Sequence, residues 1–180
     1  EFMKVEPIKV KFRDLFPSLR EIFQVRWAVL RGTIIGFIIG VLPGAGPTIA
    51  SFVTYGVEKS LSKTPEKFGT GVLEGIAGPE SSNNAATSGA MVPMFALGIP
   101  GSGATAVMLG ALILYGLKPG PMLFVENADF VWAVMASMFI GNVILIIMNL
   151  PMVPLFASLL RISYPLIYPA ILINCIISAN

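Results

Sequence analysis

The chain has no histidine, a single cysteine and few charges. Of its 180 residues, 12% are charged and 55% are hydrophobic, with a mean hydropathy of +0.81. A soluble domain carries about 25% charged residues. That deficit leaves too little polarity for a surface facing water, so the bilayer is the expected solvent. Without histidine, Ser-His-Asp and Cys-His catalysis and nearly all zinc sites are excluded within this segment. Cys175 has no partner for an intrachain disulfide and belongs to no thiol cluster. No aspartate lies within an apolar run, so the paired acids of an intramembrane enzyme are missing too. Nothing points to nucleic-acid binding, because the basic residues are not interleaved with aromatics across a folded groove. The formal net charge of +2 is unevenly spread: seven of the twelve basic residues lie between Lys4 and Arg31.

What is present is glycine and proline, in a repeated pattern. Leu42-Pro43-Gly44-Ala45-Gly46-Pro47-Thr48 and Ile99-Pro100-Gly101-Ser102-Gly103-Ala104-Thr105 share the form apolar-Pro-Gly-small-Gly-x-Thr. Each copy interrupts an apolar run. Proline removes a backbone donor and glycine permits turns that other residues resist, so a helix is expected to stop or break at each copy. Such repeated breaks point to the binding site of a secondary transporter.

Along the chain, residues 1–28 read as a basic cytoplasmic or interfacial arm. Ser18 and Glu21 fit a capping box, and Trp27 suits the membrane–water boundary. Residues 29–58 form a first broken membrane unit. Its apolar run from 29 to 42 covers only about 20 Å, short of the roughly 30 Å hydrocarbon core. The two halves either cross the bilayer as one broken helix or fold back as a re-entrant hairpin. Keeping Lys59, Lys63 and Lys67 on the side of the basic arm favours the hairpin. Residues 59–83 form a polar loop ending in the Glu80–Asn83 segment, with a helix expected from about Asn84. Residues 84–118 repeat the broken unit, 119–129 form a loop, and 130–180 form C-terminal transmembrane helices. In that last part Pro151 and Pro154 are expected to kink or divide a long run, and Gly141-Asn142 to mark a helix contact. Tyr164 and Tyr168 are expected to anchor the final run at the interface. The expected fold is an all-α polytopic membrane protein with short or broken helices and two re-entrant or discontinuous Pro-Gly-x-Gly segments. It reads as one half of an internally duplicated transporter, excerpted from a longer chain.

The chemistry follows from the breaks. A helix restarting after each motif has free N–H groups and the positive end of its dipole there. In a bilayer such donors need a partner, and an anionic substrate supplies one. The expected substrate-binding set is Gly44, Gly46, Thr48, Gly101, Ser102, Gly103 and Thr105. Two facing tips suit a molecule with carboxylates at both ends; the structural alternative is that both motifs merely shape kinks. Glu80, Ser81, Asn83 and Asn84 offer hard oxygen ligands and are the expected cation-binding set, for Na⁺ or a proton. The alternative is that Ser82 or Asn83 caps a helix while Glu80 faces water. A metal site and an organic cofactor are not expected. Gly40 to Thr48 lacks the Gly-Lys-Ser/Thr ending of a nucleotide phosphate loop.

Several stretches together resemble the large membrane subunit of the tripartite tricarboxylate transporter (TctA) family. They are Arg31-Gly32, Gly40 through Phe52, Tyr55, Glu58-Lys59, Phe68-Gly69, Pro79-Glu80 with Asn83-Asn84-Ala85-Ala86, Leu97 through Ser102, Pro119-Gly120-Pro121, Gly141-Asn142 and Asn149-Leu150-Pro151. The resemblance covers nearly the whole chain from about Arg31 onward. Ser82 stands where the family often has alanine, and Ser178-Ala179-Asn180 departs from the family's Gly-Ala-Tyr-like continuation. The resemblance implies a multi-pass permease of the bacterial cytoplasmic (inner) membrane. It also implies carboxylate import by Na⁺- or H⁺-coupled symport, with a small membrane subunit and a periplasmic solute-binding protein as partners. A channel-like or purely structural subunit is the alternative.

Overall fold

Leu19 to Val41 form one uninterrupted helix, α1, of 23 residues. The computed structural model describes residues 16–159 and 164–178. The capping box expected at Ser18 and Glu21 is formed: Ser18 Oγ accepts from the Glu21 N–H, and the Glu21 carboxylate accepts from the Ser18 N–H at 2.7 Å. The helix then runs without a break through the point where the polar arm was expected to meet the membrane run. It is about 34 Å long, enough to cross the hydrocarbon core.

After the first motif, α2 (Gly46–Leu61) folds back along α1. The Arg31–Glu58 ion pair joins residues about equally far from the break on either side, which fixes the two helices as antiparallel. The third helix, α3 (Glu74–Leu97), packs on both. Gly32, Gly36 and Gly40 of α1 meet Gly78, Ser82 and Ala86 of α3 in order, at the same offset throughout. The two helices therefore run parallel, backbone against backbone, in the manner of small-xxx-small contacts between membrane helices.

That contact explains a difference from the sequence reading. Residues 74–83 are weakly apolar and rich in Gly, Pro, Ser and Asn, so they read as a loop. They are helical from Glu74 on. Their small side chains let α3 lie close on α1, and this packing outweighs poor intrinsic propensity. Pro79 sits near the start of α3, where it removes a single i→i−4 bond. Phe68 closes the start of α3, meeting Tyr55 edge-on at 5.5 Å between ring centroids.

Beyond the second motif lie α4 (Gly103–Leu114) and the single turn α5 (Leu123–Glu126). Met94, Phe95, Leu112, Leu123 and Val131 form the buried apolar cluster that holds them. The Gly120 N–H bonds the Phe95 carbonyl at 2.8 Å, fastening the following loop to the end of α3.

The long helix α6 (Ala128–Leu159) continues through Pro151 and Pro154, so the prolines do not divide it. The last helix, α7 (Tyr164–Ser178), covers the final apolar run. Two compact units are distinguished, Ser18–Val134 and the part from Met135 onward. In the second unit Asn142 is exposed and donates to the Met138 carbonyl of its own helix, and nothing lies near Gly141. The helix contact expected at Gly141-Asn142 is therefore not made among the described residues. Phe139, Ile140, Val143, Ile144 and Ile147 are exposed. The helices Leu19–Val41 and Ala128–Leu155 are long and apolar enough to cross a membrane.

Candidate functional site

The first break follows from two left-handed glycines. Gly44 (φ 82°) and Gly46 (φ 68°) turn the chain, and α2 restarts at Gly46 with Pro47 in its first turn. No side chain caps that restart. At the second break, left-handed Gly98 (φ 69°) ends α3, with its N–H on the Met94 carbonyl. Here Ser102 caps α4: its Oγ accepts from the Thr105 N–H at 3.3 Å, and Thr105 Oγ1 accepts from the Ser102 N–H at 2.8 Å. The two copies are thus not equivalent. The second satisfies part of its own helix start, and the first, with Ala45 in the corresponding place, does not. Ser102→Ala is expected to cost the first turn of α4 about 1 kcal/mol, read as faster amide exchange at Ala104 to Ala106.

The breaks approach each other. Gly101 is buried, and a Cβ placed on it would lie 3.0 Å from the Ala90 Cβ and 3.2 Å from the Gly40 carbonyl oxygen. The loop of the second motif therefore lies against the last turn of α1, just before the first motif. Of the other expected anion-binding residues, Gly44, Thr48 and Gly103 are exposed, Gly46 and Ser102 half-buried, and Thr105 buried.

The expected cation-binding set divides. All four residues lie within α3, so neither Ser82 nor Asn83 begins a helix. Glu80 is exposed. Ser81 Oγ donates to the Ala77 carbonyl at 2.6 Å, and Asn84 Nδ2 to the Glu80 carbonyl at 3.1 Å. Asn83 alone reaches another helix: its Nδ2 donates to Ser51 Oγ at 3.3 Å. That hydroxyl in turn lies 3.1 Å from the Pro47 carbonyl and 3.3 Å from the Pro79 carbonyl. Asn83 is tied through Ser51 to the restart of α2.

The buried carboxylate is a different one. Glu58 is 2% exposed and takes a two-pronged bond from Arg31, Nε to Oε1 at 2.8 Å and Nη2 to Oε2 at 2.6 Å. Arg31 is half-exposed on the wall of a cleft of about 650 Å³, which Glu58, Trp27, Lys63, Lys67 and Glu74 also line. Glu74 accepts from Gln24 Nε2 at 2.9 Å.

Residues 3–180 match the family described as the tripartite tricarboxylate transporter TctA family. The chain belongs to that family. Two curated relatives from Agrobacterium vitis are similar to it. One is an uncharacterized 52.8 kDa protein in the TAR-I ttuC' 3' region, 46% identical over 160 residues, which are 89% of this chain and 32% of that protein. The other is an uncharacterized protein in the TAR-II ttuC' 3' region, 48% identical over 138 residues, 77% of this chain and 57% of that protein. The chain thus spans about a third of the first relative's length and somewhat over half of the second's. No solved structure matches it. TctA is a family of membrane transporters and not of enzymes.

In this TctA segment two features escaped the sequence reading. One is the stripe Gly32, Gly36, Gly40 facing Gly78, Ser82 and Ala86, whose four-residue spacing is visible once sought. The other is the Arg31–Glu58 pair. Its signal was an arginine and a glutamate set symmetrically about a helix break.

Proposed function

We propose that this chain is part of a permease that imports tricarboxylates or related carboxylates across the bacterial inner membrane by cation-coupled transport. A small membrane subunit and a periplasmic binding protein are its partners in this reading. The family supplies the substrate class. The observation that carries the reading is the approach of the two breaks, with Gly101 against the Gly40 carbonyl. An anion near them meets the uncapped start of α2 at Gly44, Gly46 and Thr48, and the Ser102 hydroxyl beside Gly103, while Thr105 holds Ser102 in place. Because carboxylate recognition rests on backbone donors there, glycine serves by letting the substrate come close.

The test is uptake of mono-, di- and tricarboxylates by the full complex in vesicles, under imposed Na⁺ or pH gradients. Saturable, gradient-driven uptake distinguishes a carrier from a channel. Gly101→Leu is expected to abolish uptake while the protein stays in the membrane. Gly44→Ala separates function from packing, because its Cβ meets nothing within 4 Å. It carries only left-handed strain of about 1–2 kcal/mol and is expected to lower uptake without unfolding the protein. Wild-type uptake in both variants would count against the reading.

A further inference from the structure

Three observations bear on the contact between α2 and α3 near Gly78. A Cβ placed there would lie 2.9 Å from Glu58 Cγ and 3.4 Å from Thr54 Cγ2, so both side chains converge on it from α2. Glu58 is buried but its partner Arg31 is half-exposed, facing the cleft. Thr54 Oγ1 and Ser82 Oγ are fully buried and have no hydrogen-bond partner among the described residues. Thr54 stands one turn before Glu58 on the same face of α2, and Ser82 one turn after Gly78 on α3.

Buried hydroxyls without partners call for a ligand. A carboxylate and two hydroxyls are hard oxygen donors suited to a small monovalent metal ion. Among the described residues no three His, Cys, Asp or Glu side chains gather, so the chemistry is not that of a transition-metal site.

We propose that Arg31 and Glu58 form an exchangeable ion pair that couples a monovalent metal cation to an anion. A carboxylate entering the cleft takes over the Arg31 guanidinium, to which Lys63 and Lys67 also draw it. Glu58, left buried and uncompensated, takes up the cation, with Thr54 Oγ1 and Ser82 Oγ as further oxygen ligands. Neither half is favourable alone. An unpaired buried carboxylate is too costly to leave bare, and a cation beside the paired guanidinium is repelled. Each ligand therefore binds more tightly when the other is present. Arg31 lies about 17 Å along α1 from the first break, so the cleft is a second station for the same class of anion. This rests on the reading that the protein moves carboxylates.

The experiment measures citrate and Na⁺ binding to the full permease complex, each at several concentrations of the other. In the wild type citrate is expected to raise Na⁺ affinity about tenfold or more, and Na⁺ to raise citrate affinity by the same factor. Glu58→Gln is expected to cut that mutual effect to less than about twofold. Arg31→Gln is expected to bind Na⁺ equally well with and without citrate. Thr54→Val, which keeps the side chain's shape, is expected to weaken Na⁺ about tenfold while leaving citrate affinity intact at saturating Na⁺. Wild-type Na⁺ dependence in Glu58→Gln and Thr54→Val overturns the proposal, and so does a dependence on pH in place of Na⁺. A wild-type complex that neither binds nor transports any carboxylate overturns the transport reading, and this one with it.

Discussion

Gly36→Leu is expected to separate α1 from α3 and to prevent the Ser18–Val134 unit from folding to its native packing. A Cβ on Gly36 is driven into the Ser82 carbonyl and the Ser82 Cα. The neighbours are backbone, so no rotamer change relieves the clash. Even Gly36→Ala is expected to destabilise by about 1–3 kcal/mol, the usual range for overpacking. The better helix propensity of alanine, about 1 kcal/mol, offsets only part of that. Gly56→Ala is the control. Gly56 also lies inside a helix, but nothing stands within 4 Å of its added Cβ. It is expected to be neutral or to stabilise by up to about 1 kcal/mol. Thermal unfolding in detergent reads both: the melting point should fall for Gly36→Ala and hold or rise for Gly56→Ala. Equal shifts in the two would show that the α1–α3 contact is not as close as described.

Arg31→Met is expected to destabilise the α1–α2 hairpin by about 3–5 kcal/mol, because it strands the buried Glu58 carboxylate without a partner. The double change Arg31→Met with Glu58→Leu should recover most of that loss. Replacing both members of a buried pair by apolar groups is often neutral, whereas removing one is not. The measurement is again the melting point, for the two single variants and the double. Additive losses would mean that the pair holds nothing together in the folded state. The recovered double variant should regain stability without regaining coupled uptake, which separates the structural contribution of the pair from its proposed exchange.

Much of the architecture was legible because its causes are local. Composition alone assigns the bilayer as solvent. The capping box at Ser18 and Glu21 is a contact three residues apart, and it forms as written. Both Pro-Gly-x-Gly motifs interrupt helices, the first through left-handed Gly44 and Gly46 and the second just after left-handed Gly98 ends α3. The misreadings arose where a neighbour decides. Hydropathy treats Glu74 to Asn83 as a loop, but α1 presents a glycine stripe against which that poor helix former packs. Of the two outcomes expected at Pro151 and Pro154, a kink or a division, the division is not made, because α6 continues through both.

The amino-acid sequence by itself determined that the chain is helical and lipid-facing, that it breaks at two glycine motifs, and which family it belongs to. Only the tertiary structure decided which acid is buried. Glu80 stands in the more polar stretch yet is exposed, whereas Glu58 ends an apolar run and lies under Arg31. The reason is geometric. Which face of a helix is covered depends on the helices beside it, and the direction of α2 was fixed by a fold-back at Gly44 and Gly46 that brings distant residues side by side.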